Sequence, residues 1–404
     1  MNYNINKIYK PHLLPMIFIF TMMFSFEING INMRYVVLAF WFVFGLIWSR
    51  KIIANTETIY ILLGVFILLV YVILISIIQG ENNSFEYLRL LRCVFTYFII
   101  LLFLSKKSYN RDEIVSSLLF VLSIHAICTI LSVIFPTFKD WILPISQYTK
   151  ELLRYRSSGL LSGFDDAGML SNFGMILDYI MRRNKGKSLG ALTFLFAISA
   201  ALASRFNMIC MLLVLLCIVI LESRNRKLLS KVIVFFISLI AVGFVGVFWI
   251  MTTNMSPNLR GMLYSQFPKL RLFYDAVLSS YTDYGVYTNV INRHWFPAEI
   301  SVSERIFGAG IRINNSDIGL VKSMYSYGII GISWVLLLYF YSLKIVKKYY
   351  KNIQKNYYYL YLICLGLMTI METKTAIFLS STSFEMITLL YLNFIINKNV
   401  QTEI

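Results

Sequence analysis

An all-α bundle embedded in a membrane is the fold class this sequence predicts, and three observations predict it. The 404 residues are 58% hydrophobic and only 14% charged, with a mean hydropathy of +0.69, far from the balance of a water-soluble domain. The apolar residues fall in runs of span length, about 20 residues being what a hydrocarbon core of ~30 Å requires. Lysine and arginine punctuate these runs instead of gathering on one face.

The runs lie at about 13–27, 34–49, 58–79, 87–104, 114–135, 163–181, 188–204, 206–221, 232–252, 318–342, 357–371 and 375–396, which makes a polytopic bundle of about twelve spans. The first follows Lys7 and Lys10 as a signal peptide would, but no small-x-small cleavage site comes after it, so it reads as a retained span. Arg50-Lys51 closes the second, Arg89 and Arg92 open the fourth, and Lys106, Lys107 and Arg111 precede the fifth. The sixth starts at Asp165 and Asp166, where carboxylates favour the helix dipole, and ends in Arg182-Arg183-Asn-Lys185-Gly-Lys187. Ser204-Arg205 is the tight turn between the seventh and eighth. Ser316 is placed to cap the tenth, with Asp317 at its N-terminus, and five lysines from Lys344 to Lys355 follow it.

Orientation follows from where the cations fall. With the N-terminus inside, cytoplasmic segments hold 21 of the 37 lysines and arginines, while short outer connections hold five: Arg34, Arg89, Arg92, Arg205 and Lys374. Both termini are therefore expected in the cytoplasm, with the protein in a bacterial inner membrane. Two longer outer segments, 136–162 and 253–317, carry ten of the remaining eleven, Lys322 lying in the tenth run, and are where a polar site has room. The net charge of +17 does not indicate nucleic acid, because a basic footprint would cluster on one exposed face. Cys93, Cys128, Cys210, Cys217 and Cys364 all sit in apolar runs without metal-ligand spacing and read as packing residues. No internal repeat and no inverted pair of Gly/Pro-broken helices of the transporter kind is found.

In the long outer segment, Leu270, Phe273, Val277 and Tyr281 recur at helical spacing, as in a helix lying on the membrane surface. Ten aromatics and six cations interleave through residues 260–312, a mixture suited to stacking sugars and holding phosphate, and also to an interfacial belt with snorkelling cations. Arginine predominates on the outer side, and its planar fork grips phosphate through two parallel hydrogen bonds. Arg205 is the sharpest candidate, at headgroup depth in its turn. Arg154 and Arg156 precede Ser-Ser-Gly-Leu-Leu-Ser-Gly163, a flexible turn leading to Asp165 and Asp166. His294, beside Arg293, is the only outer histidine and titrates near neutrality. Gly328 and Gly331 in the tenth run let a neighbouring helix approach. His125 and Glu385, mid-span, read as satisfied hydrogen-bonding groups between helices.

Several of these pieces, in this order and sidedness, resemble the O-antigen polymerases of the Wzy type, within the wider family of membrane glycan polymerases and O-antigen ligases. The resemblance covers most of the chain. It rests on the span count, the two outer loops, Arg156-Ser-Ser-Gly159 through Gly163-Phe-Asp-Asp166, Ser204-Arg205, and Gly308-x-Gly310 through Asp317-Ile-Gly319 to Gly328-x-x-Gly331. It implies a GT-C-like fold and transfer of a growing glycan from undecaprenyl diphosphate onto another lipid-linked repeat unit at the periplasmic face. Arg156, Arg205 and Arg293 would hold the diphosphates, and His294, Asp165, Asp166 or Asp317 would take the acceptor proton. Arg154, Arg89, Arg305, Trp295 and Tyr274 would bind substrate. No metal or other cofactor is expected, and the implied partners are the undecaprenyl-diphosphate-linked oligosaccharide, the lipid bilayer, a chain-length regulator and a flippase. Two further readings stay open: an O-antigen ligase, whose loop histidine the Arg293-His294 pair resembles, and a lipid-linked oligosaccharide flippase or other transporter.

Overall fold

Helix α1 (Leu13–Met23) leads through the two-residue antiparallel strands β1 (Glu27–Ile28) and β2 (Ile31–Asn32) into α2 (Met33–Trp48). The run predicted from 13 to 27 stops at 23 because Phe24 turns extended into this hairpin. Then come α3 (Thr56–Ile78), α4 (Ser84–Ser105), α5 (Arg111–Ile134), the short α6 (Pro136–Ile142), α7 (Phe164–Arg183), α8 (Ala191–Ala203) and α9 (Arg205–Glu222). The chain closes with α10 (Val302–Phe307), α11 (Gly319–Tyr350), α12 (Lys355–Glu372) and α13 (Ser381–Ile396). This computed structural model describes residues 11–24, 27–28, 31–48, 52–80, 84–106, 109–142, 157–161, 163–187, 189–222, 300–311, 316, 318–350, 354–379 and 381–397. The run expected at 232–252 and the surface helix expected around Leu270 to Tyr281 lie outside them.

The chain divides into two compact units, 1–215 with 299–404, and 216–298. Of the second, only the last turns of α9 are described. In the first, α7 and α13 form the centre. Every residue of α7 from Ala167 to Met181 is buried, and α5, α8, α12 and α13 pack around it. The outer faces of α2, α3 and α11 instead expose large apolar side chains, among them Phe40, Ile47, Leu63, Phe66, Ile78, Leu337 and Phe340. Apolar area on that scale is unfavourable against water and at home against lipid. Among the described residues, four helices are long and apolar enough to cross a membrane: 56–78, 86–105, 111–134 and 319–350. The described residues are thus essentially all-helical, with an architecture compatible with a membrane protein.

Local chemistry accounts for the boundaries. Asn110 caps α5 by accepting from Glu113 N at 2.9 Å, while its own N–H donates to the Glu113 carboxylate at 3.0 Å; Ser301 and Glu304 repeat the arrangement at α10. Hydroxyls inside the helices bond back to carbonyls four residues earlier, as in Ser76 to Val72 and Ser123 to Leu119, which satisfies them without water. The last predicted run, from 375, becomes helical only at 381. The Glu372 carboxylate accepts from Ile377 N at 2.5 Å and Phe378 N at 2.8 Å, wrapping the chain into a turn first.

Gly328 departs from the sequence expectation. It takes φ +67° and ψ −179° and breaks α11, a conformation that glycine alone adopts freely. Its neighbour is the C-terminal end of α10 and the residue after it: a Cβ on Gly328 would collide with Gly308 N and Ile306 O, and one on Gly308 with the Tyr327 backbone. Ala309 N donates to Tyr325 O at 2.9 Å, supplying the donor that the break removes. Gly331 faces the Tyr327 ring of its own helix.

Candidate functional site

Ser204 is a single extended residue between α8 and α9, and it caps α9 by accepting from Asn207 N at 3.3 Å. The Asn207 side chain also donates to Ser204 Oγ at 2.9 Å and to Asp165 O at 3.0 Å. Gly168 makes room for it, since a Cβ there would strike the Asn207 side chain. One buried asparagine therefore fixes the start of α9 against the start of α7. That puts Arg205 beside Asp165 and Asp166.

A third connection completes the arrangement. Gly319, at the start of α11, packs directly on Thr375 O, seating the α12–α13 turn that carries Lys374. The three connections enclose a cavity of about 470 Å³ lined by Arg205, Lys374, Asp165, Asp166 and Ser204, with Phe164, Phe206 and Ile209 on its apolar side. Arg205 is exposed at the first residue of its helix. Two cations able to stabilise developing negative charge thus share one space with two carboxylates able to accept a proton.

The segment preceding Gly163 is packed against α5. Ser157 to Leu161 are buried, and Gly159 turns at φ +55° against Thr129 and His125. Leu160 N donates to His125 Nδ1 at 3.3 Å, and His125 Nε2 lies 3.3 Å from Ala167 O. His125 is satisfied between helices, as its mid-span position suggested, and its work is to hold this segment.

A second polar system, built around buried ion pairs, lies at the same end of the bundle. Arg34 pairs with Glu385 at 2.5 Å and Arg89 with Glu86 at 2.6 Å, all four side chains being largely buried. Arg92 interacts electrostatically with Arg34 and Glu385. Glu372 accepts from Ser323 Oγ at 3.1 Å in addition to its two backbone donors. Glu385 is therefore an ion-pair partner, with its second carboxylate oxygen lacking a hydrogen bond among the described residues.

Of the residues singled out from sequence, Arg205, Asp165 and Asp166 come together in the cavity. Arg89 is committed to Glu86 and does not line it, and Arg305 stands exposed on α10. Arg154, Arg156, Tyr274, Arg293, His294, Trp295 and Asp317 lie outside the described residues. Lys374 entered the sequence reading only as a topological charge, and Asn207, Gly168 and Glu372 did not enter it. The legible signals were an asparagine three residues after Ser204, in cap spacing, and an acid-base pair two residues apart at the end of an apolar run. No family model, curated protein or solved structure matches this chain.

Proposed function

We propose that the chain is a membrane glycosyltransferase acting on lipid-linked glycans. Within that class it is an O-antigen polymerase of the Wzy type, a bundle of about twelve spans in a bacterial inner membrane with cytoplasmic termini and a periplasmic site. The observation that carries this reading is the convergence of Arg205, Lys374, Asp165 and Asp166 on one cavity. Glycosyl transfer from a lipid diphosphate asks for that pairing of groups. The acceptor hydroxyl gives its proton to a carboxylate, Asp166 or Asp165, as its oxygen bonds to the anomeric carbon. The carbon–oxygen bond to the diphosphate breaks, the diphosphate leaves with the electron pair, and Arg205 and Lys374 stabilise its charge. Arg156 and Arg293 join the diphosphate site, and Arg305, Arg154, Trp295 and Tyr274 the glycan path, in this reading.

Deleting the gene and running the host's lipopolysaccharide on a gel tests it. A core bearing one repeat unit, with the ladder lost, is expected. Loss of all O-antigen from the core overturns the polymerase reading; glycan accumulating on the periplasmic side then indicates a ligase, and on the cytoplasmic side a flippase. In the complemented strain, Arg205→Ala should abolish the ladder at unchanged protein abundance and Arg205→Lys should restore it in part, since an ammonium supplies charge without the bidentate fork. A normal ladder from Arg205→Ala removes that residue from the site.

A further inference from the structure

The cavity just described uses the first turn of α7 and the turn after α12. The other ends of the same two helices frame a second cavity, of about 430 Å³, lined by Arg111, Arg183, Lys185 and Lys355 together with Asp112, Asn184 and Tyr357. α7 has 20 residues, which at 1.5 Å per residue is about 30 Å, the thickness of a hydrocarbon core. The two cavities thus lie at opposite faces of the bundle.

Surface lysines that serve topology alone need no built walls, and this cavity has them. The Arg111 guanidinium lies over the Tyr357 ring at 4.1 Å and near the Tyr350 ring at 5.6 Å, and Asn393 holds the Arg111 carbonyl at 3.1 Å. Tyr357 donates its hydroxyl to Asp112 at 2.6 Å, and Asp112 also pairs with Arg111 Nε at 3.3 Å. Asn356 donates to Asn184 Oδ1 at 2.6 Å, joining the turn after α7 to the start of α12. Arg183 Nη1 donates to the Tyr179 hydroxyl at 3.1 Å. Four cations and one carboxylate, Asp112, thus line this concave site, with Asp112 bonded to Tyr357 and Arg111.

We propose that this second cavity is a phosphate-binding site, independent of the glycan chemistry, for the phosphate of an anionic lipid headgroup or of a soluble phosphate compound at the face opposite the candidate active site. Arg183 and Lys355 grip the phosphate oxygens, Lys185 adds charge from the turn, and Arg111 forms a rigid floor.

The full chain in nanodiscs and in detergent supplies the test, with a R183Q/K185Q/K355Q variant; Lys185 and Lys355 are exposed and Arg183 is near the surface. Retention of cardiolipin is read by native mass spectrometry, and thermal unfolding is followed in phosphatidylcholine nanodiscs with and without cardiolipin or added inorganic phosphate. Wild type should retain cardiolipin and unfold at higher temperature when the phosphate source is present, and the variant should bind about tenfold more weakly. Response to cardiolipin alone assigns the site to a lipid headgroup; response to inorganic phosphate in neutral lipid assigns it to a soluble ligand. Equal responses from wild type and variant, or none from wild type, overturn the proposal. Should the triple variant fail to accumulate, K355Q alone carries the same comparison.

Discussion

Glu372 and Lys374 stand two residues apart at the end of α12, yet they belong to opposite kinds of place. Glu372 is closed within the protein by Ser323 and two backbone N–H groups, while Lys374 faces the open cavity with Arg205. Around Glu372, arginine is matched by buried glutamate in the Arg34–Glu385 and Arg89–Glu86 pairs. Around Lys374, cations and carboxylates share space large enough for a ligand. Both regions combine cations with carboxylates; in one they meet as buried ion pairs, and in the other they line a cavity.

The largest effect that would sharpen this contrast is in the closed region. Glu385→Ala leaves Arg34 buried without its counter-charge and should destabilise by about 3–5 kcal/mol, seen as lost abundance and an earlier thermal transition in detergent. The R34M/E385M double variant should recover most of it, and failure to recover would mean the pair does more than neutralise itself. Gly328→Ala comes next, at about 1–3 kcal/mol for the strained backbone alone, read by the same transition. Smallest in stability, within about 0.5 kcal/mol, is Lys374→Gln at the cavity, with Asp166→Asn, which weakens a first-turn carboxylate's favourable place at the helix N-terminus, costing up to about 1 kcal/mol. These should nonetheless shorten or abolish the glycan ladder, Asp166→Asn more than Lys374→Gln. A stability loss at Lys374 as large as at Glu385 would erase the distinction between the two regions.

Much of the helical architecture was legible because lipid-length apolar runs and their punctuating cations leave few alternatives. Asn110 and Glu113, or Ser204 before Arg205, mark boundaries through short-range chemistry that the chain itself displays. The site was legible in part. Arg205 and Asp166 could be singled out because they stand at the mouths of apolar runs on the side expected to face outward, but whether a given arginine is free or paired depends on residues hundreds of positions away. Arg34 meets Glu385 across 351 positions, and no periodicity encodes that meeting. Gly328 illustrates the same limit: a glycine in a helical run signals close approach, and only the fold tells that the visitor here is the backbone at the C-terminal end of α10.

That contact between Gly308 and Gly328 has a genetic consequence. Each glycine's missing side chain would strike main-chain atoms at the other's position: Gly308 N, Ile306 O and Phe307 C on one side, and Tyr327 Cα and C with Gly328 N on the other. Backbone cannot be trimmed by a compensating substitution, so a loss-of-function allele at either position should resist repair by any single replacement at its counterpart. Suppressors of such alleles should arise instead as insertions or deletions between Ala309 and Ile318, where a change in chain length lets one backbone withdraw from the other.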